Sequence, residues 1–185
     1  QAEGQTNPPT NSGDWTIPTN DVTYLNSSQA LIQGNIDVYG TLIVNDSSIS
    51  LWGSSNYERQ FEVFNGGKLV LKNSTILSFT SVCFDMTFNP GSEITIENSR
   101  IQQSCLVDLK TANAHITNTW FEKSRLDVNL FENTGSYYEG SSTLYTANLT
   151  FEKLTFANSS SDGAAKGELK IQNPNIKGIK FRRNY

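Results

Sequence analysis

The sequence is poor in the materials of helices, metal sites and nucleic-acid grooves. Its 185 residues include one Met, one His and two Cys, and only 17% are charged. No run of Ala, Leu, Glu, Lys and Arg is long enough for a helical bundle or a Rossmann-type enzyme, since those straight-chain residues lose least on entering a helix. The net charge is −4 and no positive side chain precedes Arg59, so the basic footprint of a nucleic-acid binder is missing. No stretch approaches the roughly 18 consecutive apolar residues of a membrane helix, and no membrane insertion is expected. The cysteines form no CxxC pair and neither stands near His115, which argues against zinc and redox chemistry. There is no nucleophile elbow and no phosphate loop. No cofactor, metal ligand or catalytic residue is assigned.

What the chain does contain is 21 Ser, 18 Thr and 20 Asn, nearly a third of it. These residues compete with a helical backbone for hydrogen bonds and favour turns and strands. The hydrophobic fraction of 36% suffices for one modest core in one domain. Charge is split along the chain: residues 1–58 carry −6 and residues 163–185 carry +5. The start, Gln1-Ala2-Glu3, is read as a mature product whose secretion signal has been removed. Sequons at Asn26, Asn45, Asn73, Asn148 and Asn158 are candidate glycosylation sites in such a product. An extracellular location is expected. There, Cys83 and Cys105, 22 residues apart, read first as an intrachain disulfide. An intersubunit cross-link and a pair of small buried hydrophobes are the alternatives.

A degenerate repeat runs through the sequence. Leu69-Val70-Leu71-Lys72-Asn73-Ser74-Thr75-Ile76 reads apolar, x, apolar, x, Asn, x, x, apolar. The same pattern stands at Leu42–Ile49, Ile94–Ile101, Ala114–Phe121, Leu149–Phe156 and Leu169–Ile176, with its fifth position at 46, 73, 98, 118, 153 and 173. Alternation such as Leu69/Leu71 is a half-buried strand. Asn in the fifth position tolerates a left-handed backbone, so the chain bends there, and the apolar residue three places on returns to the core. Strand, bend, strand and turn, cycling at about 20–27 residues, predict one coil of a parallel β-solenoid. The expected fold is an all-β, right-handed parallel β-helix of about six or seven irregular coils over residues 21–185, preceded by an extended segment, 1–20. A loop is inserted near Asn133 to Ser142. An antiparallel β-sandwich is the alternative, but only Asn65-Gly66 and Asp162-Gly163 provide hairpin dipeptides.

Gly34-Asn35-Ile36-Asp37-Val38-Tyr39-Gly40-Thr41-Leu42 and Gly66-Gly67-Lys68-Leu69-Val70-Leu71-Lys72-Asn73-Ser74-Thr75-Ile76 resemble the parallel β-helix repeats of archaeal surface proteins. The resemblance covers about residues 31–121 well. Within that group, a short secreted chain with two cysteines resembles the subunits of the tubular sheath of filamentous methanogens. It implies stacked β-arches assembled into cross-linked hoops, with no enzymatic activity.

Parallel β-helices also carry polysaccharide lyases and hydrolases, which cluster carboxylates on one face. Asp85, Asp108 and Asp127, 23 and 19 residues apart, are the best catalytic or calcium candidates, but a ladder of solvent-facing turn residues is the preferred reading of them. A carbohydrate-binding module would stack sugars on Trp15, Trp52, Trp120, Tyr137 or Tyr138. An ice-binding face would need a Thr-x-Thr ladder, and only Thr117-Asn118-Thr119 fits. The preferred expectation follows from the ends of a solenoid, each a row of unpaired backbone groups. Acidic first coils and a basic last strand at Ile179–Tyr185, with Lys177, Lys180, Arg182 and Arg183 at the edge, suit head-to-tail stacking of copies. The alternative is that these basic residues keep edges apart.

Overall fold

A computed structural model describes residues 7–10, 12–129, 145–157, 168–172 and 176–182, with side chains over 7–10, 12–128 and 149–154. Among them the chain forms strands and no helix. The first coil is β1 (Trp15–Ile17), β2 (Val22–Asn26) and β3 (Gln29–Ile32); the second is β4 (Ile36–Val38), β5 (Thr41–Asn45) and β6 (Ser48–Leu51). The third is β7 (Gln60–Val63), β8 (Lys68–Lys72) and β9 (Thr75–Ser78), and the fourth β10 (Phe84–Phe88), β11 (Glu93–Glu97) and β12 (Arg100–Gln102). The fifth is β13 (Ser104–Leu109), β14 (Asn113–Thr117) and β15 (Trp120–Glu122); the sixth β16 (Arg125–Asn129), β17 (Tyr145–Glu152) and β18 (Thr155–Ala157). Strands β19 (Glu168–Gln172) and β20 (Ile176–Arg182) begin a seventh.

Every third strand pairs. Sheet A is β1-β4-β7-β10-β13-β16-β19, sheet B is β2-β5-β8-β11-β14-β17-β20, and sheet C is β3-β6-β9-β12-β15-β18. The ladders between neighbouring strands in all three sheets are parallel, which excludes the sandwich and makes the fold a parallel β-solenoid whose coil order is its sequence order. The stack takes in Trp15–Ile17, which pairs in register with Ile36–Val38, within the stretch expected to be an extended lead-in. The reason is local: Trp15 and Ile17 alternate around Thr16 and both are buried.

Alternation puts one set of residues inside. The register stacks Trp15, Ile36, Phe61, Met86, Val107 and Leu126 in one column of sheet A, and all six are at most 1% exposed. In sheet C the residue three places past each bend, Ile49, Ile76, Ile101 or Phe121, is fully buried, as the repeat requires.

The corners carry the remaining order. Between sheets B and C, the repeat's fifth residues Asp46, Asn73, Asn98, Asn118 and Lys153 all have φ between 45° and 53°, as does Ser27 in the first coil at 46°; position 173 lies outside the described residues. After Asp46, Asn73 and Asn98 the next residue is a buried serine that ties coils together; Thr119 and Leu154 take that place after Asn118 and Lys153. The Ser47 hydroxyl accepts the Ser28 N–H (3.1 Å) and donates to Asn45 O (2.6 Å). Ser74 likewise accepts from Ser47 N–H (3.0 Å) and donates to Lys72 O (2.5 Å), and Ser99 accepts from Ser74 N–H (3.2 Å). Buried backbone donors need partners, and at this corner a hydroxyl supplies what the interrupted ladder does not. Ser74→Ala is therefore expected to lower stability by about 1–3 kcal/mol by stranding the Ser47 N–H, read as a lower urea midpoint with an unchanged slope. An effect within experimental error would show that water replaces the hydroxyl.

The corner between sheets A and B turns on glycine. Gly66 and Gly91 have φ of 80° and 82°, and a side chain on Gly67 would stand 2.4 Å from Val38 O, so the coils approach there backbone to backbone.

Candidate functional site

Three outer faces and two sets of terminal strands are the surfaces available for function. On sheet A the outward residues form an acidic column. Thr16, Asp37, Glu62, Thr87, Asp108 and Asp127 are successive register partners. Burial, then the charges of Asp14 and Glu62, hold the Asp37 carboxyl above the usual carboxylate range.

Asp85, Asp108 and Asp127 do share this face, but the register brings only two of them together. Asp108 pairs with Asp127, whereas Asp85 stands opposite Leu106, just past a one-residue shift of the ladder at Phe84/Asp85, and two places short of Asp108. Asp127 is buried and gripped by the Arg125 guanidinium, whose Nε lies 2.7 Å from Oδ1. Asp108 pairs with Lys110 at 3.3 Å. Asp85 has one buried oxygen, Oδ1, without a hydrogen-bond partner, and burial followed by the Asp108 charge raises its pKa. Among the described residues no three His, Cys, Asp or Glu side chains group as metal ligands.

Sheet B outside is laced by ion pairs, Lys68–Glu93 at 2.6 Å and Lys72–Glu97 at 3.1 Å. His115 lies exposed on β14. Beside this sheet, along the A–B corner, runs an open groove of about 590 Å³ lined by Gly66, Gly67, Lys68, Gly91, Ser92 and Asn113 among others. Among the described residues that line it, Glu93 is the one carboxylate, and it is held by Lys68. A two-carboxylate hydrolytic site needs a second acid there.

The aromatics that a carbohydrate-binding module would use do not form one platform among the described residues. Trp15 is a core residue at 1% exposure, and Trp120 is half exposed on sheet C. Trp52 sits instead at the corner between sheets C and A, with Tyr57 and Phe79 also exposed. Tyr137 and Tyr138 lie outside the described residues, as does the insertion at 133–142. Thr117 faces out while Thr119 is buried, so Thr117-Asn118-Thr119 turns a corner and offers no flat threonine ladder.

Cys83 and Cys105 form an intrachain disulfide with Cα atoms 5.1 Å apart. It joins the entry to β10 to the shifted residue of β13, one coil on. Of the sequons, Asn26 and Asn73 are exposed at the B–C corner, while Asn45 donates its Nδ2 to Asn26 Oδ1 at 3.1 Å. Asn148 is in β17, described by backbone alone, and Asn158 lies outside the described residues.

Along the solenoid axis, β1, β2 and β3 are the terminal strands at one end, and β19, β20 and β18 at the other. Lys177, Lys180 and Arg182 are in β20, described by backbone alone, and Arg183 follows outside the described residues. The alternating segment Ile179–Phe181 is thus an edge strand, as the sequence pattern requires.

Two features escaped sequence reasoning. A second bend between sheets C and A repeats the left-handed-residue-plus-serine device at Gln103-Ser104 and Lys123-Ser124, where Ser104 N–H donates to the Ser124 hydroxyl at 3.0 Å. Its signal, a long polar residue before serine, is too common in this composition to stand out. The spacing pointed to Asp108 and Asp127 on one face, but their continuation through Asp37 and Glu62, 25 residues apart, went unread, since only the register aligns them. Among the described residues no helix is long and apolar enough to cross a membrane. No protein-family model matches the chain, and no curated protein or solved structure does either.

Proposed function

We propose that this chain is a structural, self-assembling extracellular protein whose coils continue from one copy into the next, building a filament, hoop, tubular sheath or surface layer. The observation that carries the reading is the one-directional stack: all three sheets end in terminal strands at both ends of the axis, and every ladder between them is parallel. Strands in such a stack add to a copy of themselves head to tail without reversal, a heterologous contact that generates rings or filaments. The charge split supports the same polarity: among the described residues Asp14, Asp21, Asp37 and Asp46 belong to the first two coils, whereas Lys170, Lys177, Lys180 and Arg182 belong to β19 and β20. The disulfide is compatible with an oxidising location. Glycans on Asn26 or Asn73 would sit at the B–C corner, on the flank of the stack. The resemblance to archaeal sheath subunits agrees with this role.

Negative-stain microscopy of the concentrated protein tests it. Filaments, hoops or tubes are expected, and raising salt is expected to shorten them, since screening weakens exposed charge contacts. Dispersed single copies at high concentration would exclude the reading. Calcium-dependent release of unsaturated sugars from a polysaccharide would favour a β-helix lyase instead.

A further inference from the structure

The outer face of sheet A holds carboxylates in a geometry that nothing in the stacking of copies uses. Asp37 on β4 and Glu62 on β7 are direct register partners on neighbouring parallel strands, a spacing of about 4.8 Å. On the far side of Asp37 stands Asp14, whose Oδ1 accepts the Asn35 N–H at 2.7 Å. Glu62 receives a neutral donor, Asn89 Nδ2 at 2.7 Å. The nearest cation in sequence, Arg59, is taken by Glu58 at 2.7 Å.

A second acidic step lies two coils on. Asp85 of β10 faces Gln60 on one neighbouring strand and Leu106 on the other, with Asp108 two places beyond Leu106. Lys110 is paired with Asp108, and Arg125, which follows in the column, is paired with Asp127. Asp85 keeps a buried, unpartnered oxygen.

We infer that this face is a pH-sensitive element: ionised carboxylates loosen the junctions between the second and third coils and between the fourth and fifth, and mild acid tightens them. Asp37 and Glu62 are directly opposite on adjacent strands, where like charges are destabilising; Asp85 and Asp108 are diagonal neighbours two places off register, and protonating one member of each pair relieves the repulsion. The inference concerns a single copy and holds whether or not copies assemble.

The direction of titration agrees. Asp37 and Asp85 both have folded-state pKa values raised above the usual carboxylate range, each chiefly by burial. A raised acid weakens the fold above its folded pKa, and that cost fades as pH falls through it. Glu58 runs the other way, held low mainly by the Ser54 N–H and hydroxyl. Its contribution is present above the unfolded pKa and is lost as pH falls through its lowered folded value. Bulk unfolding therefore mixes the two signs, and a local readout is needed.

Native-state hydrogen exchange on the intact chain, corrected for intrinsic rates and compared at about pH 4 and about pH 7, supplies it. Amides of β4, β7, β10 and β13 are expected to gain protection by up to about fivefold in acid, while β6, β9 and β12 of sheet C stay level. Asp37→Asn and Asp85→Asn are expected to hold the acid-state protection at neutral pH and to flatten the dependence. Glu62→Gln, which keeps its acceptor for Asn89, is expected to repeat the Asp37→Asn result by removing the other partner. Equal pH dependence in sheets A and C, or an undiminished dependence in all three variants, would overturn the inference.

Discussion

Replacing Phe61 with alanine is expected to lower the unfolding free energy by about 3–5 kcal/mol, the largest effect of any single core truncation considered. Phe61 is fully buried and lies in the sheet A column between Ile36 and Met86. Removing the ring loses its transfer free energy and leaves a cavity, and the second term depends on how far the surroundings collapse. Here they collapse little, because the strands above and below are fixed at ladder spacing by the hydrogen bonds of three sheets at once. Chemical unfolding of Phe61→Ala beside Phe61→Leu measures this. The leucine variant, which keeps most of the volume, is expected to lose less than half as much. A loss below about 1 kcal/mol for the alanine variant would mean that the column is loosely packed. Since each coil touches only its neighbours, the damage should concentrate in the second to fourth coils.

Breaking the Cys83–Cys105 bond is expected to cost about 3–4 kcal/mol. The bond closes a segment of 22 residues, and restoring that freedom to the unfolded chain accounts for most of this figure. The connection it anchors is also tied by polar contacts: Cys83 N–H donates to Asn56 Oδ1 at 2.9 Å, Tyr57 N–H donates to Cys83 O at 3.0 Å, and Gln103 Nε2 reaches Val82 O at 3.4 Å. These contacts hold the segment near its folded place after reduction, so partial loss of the fourth coil is expected rather than global collapse. For a chain of this size the melting temperature should fall by roughly 6–16 °C on reduction or in the Cys83→Ser/Cys105→Ser double variant. On gels the unreduced chain should run as a single copy. A ladder of multimers that collapses with reductant would show the sulfurs pairing between copies, and an unchanged melting temperature would show that the bond constrains nothing.

The bend positions were legible because their chemistry is local. A left-handed backbone favours Asn and Asp over most residues, so Asp46, Asn73, Asn98 and Asn118 announce themselves through identity and spacing. Lys153 bends in the same way without that identity; the flanking alternation gives it away. Where the signal is a single common residue, as at Ser104 and Ser124, nothing distinguishes a corner from a solvated strand.

Alternation, bend and repeat length, which belong to consecutive residues, determined by themselves that this chain is a parallel solenoid with Leu69, Leu71, Ile76 and their counterparts inside. Which residues of different coils become neighbours was decided only by the tertiary structure. Segment lengths between coils are uneven, so Asp85 falls opposite Leu106, two places short of Asp108, while Asp108 falls on Asp127. Side chains on one strand interact by period, but those on adjacent strands interact by register. Register is fixed by the backbone ladders and corner hydroxyls of the whole stack, so the meeting of Asp37 with Glu62 on sheet A emerges only in the folded protein.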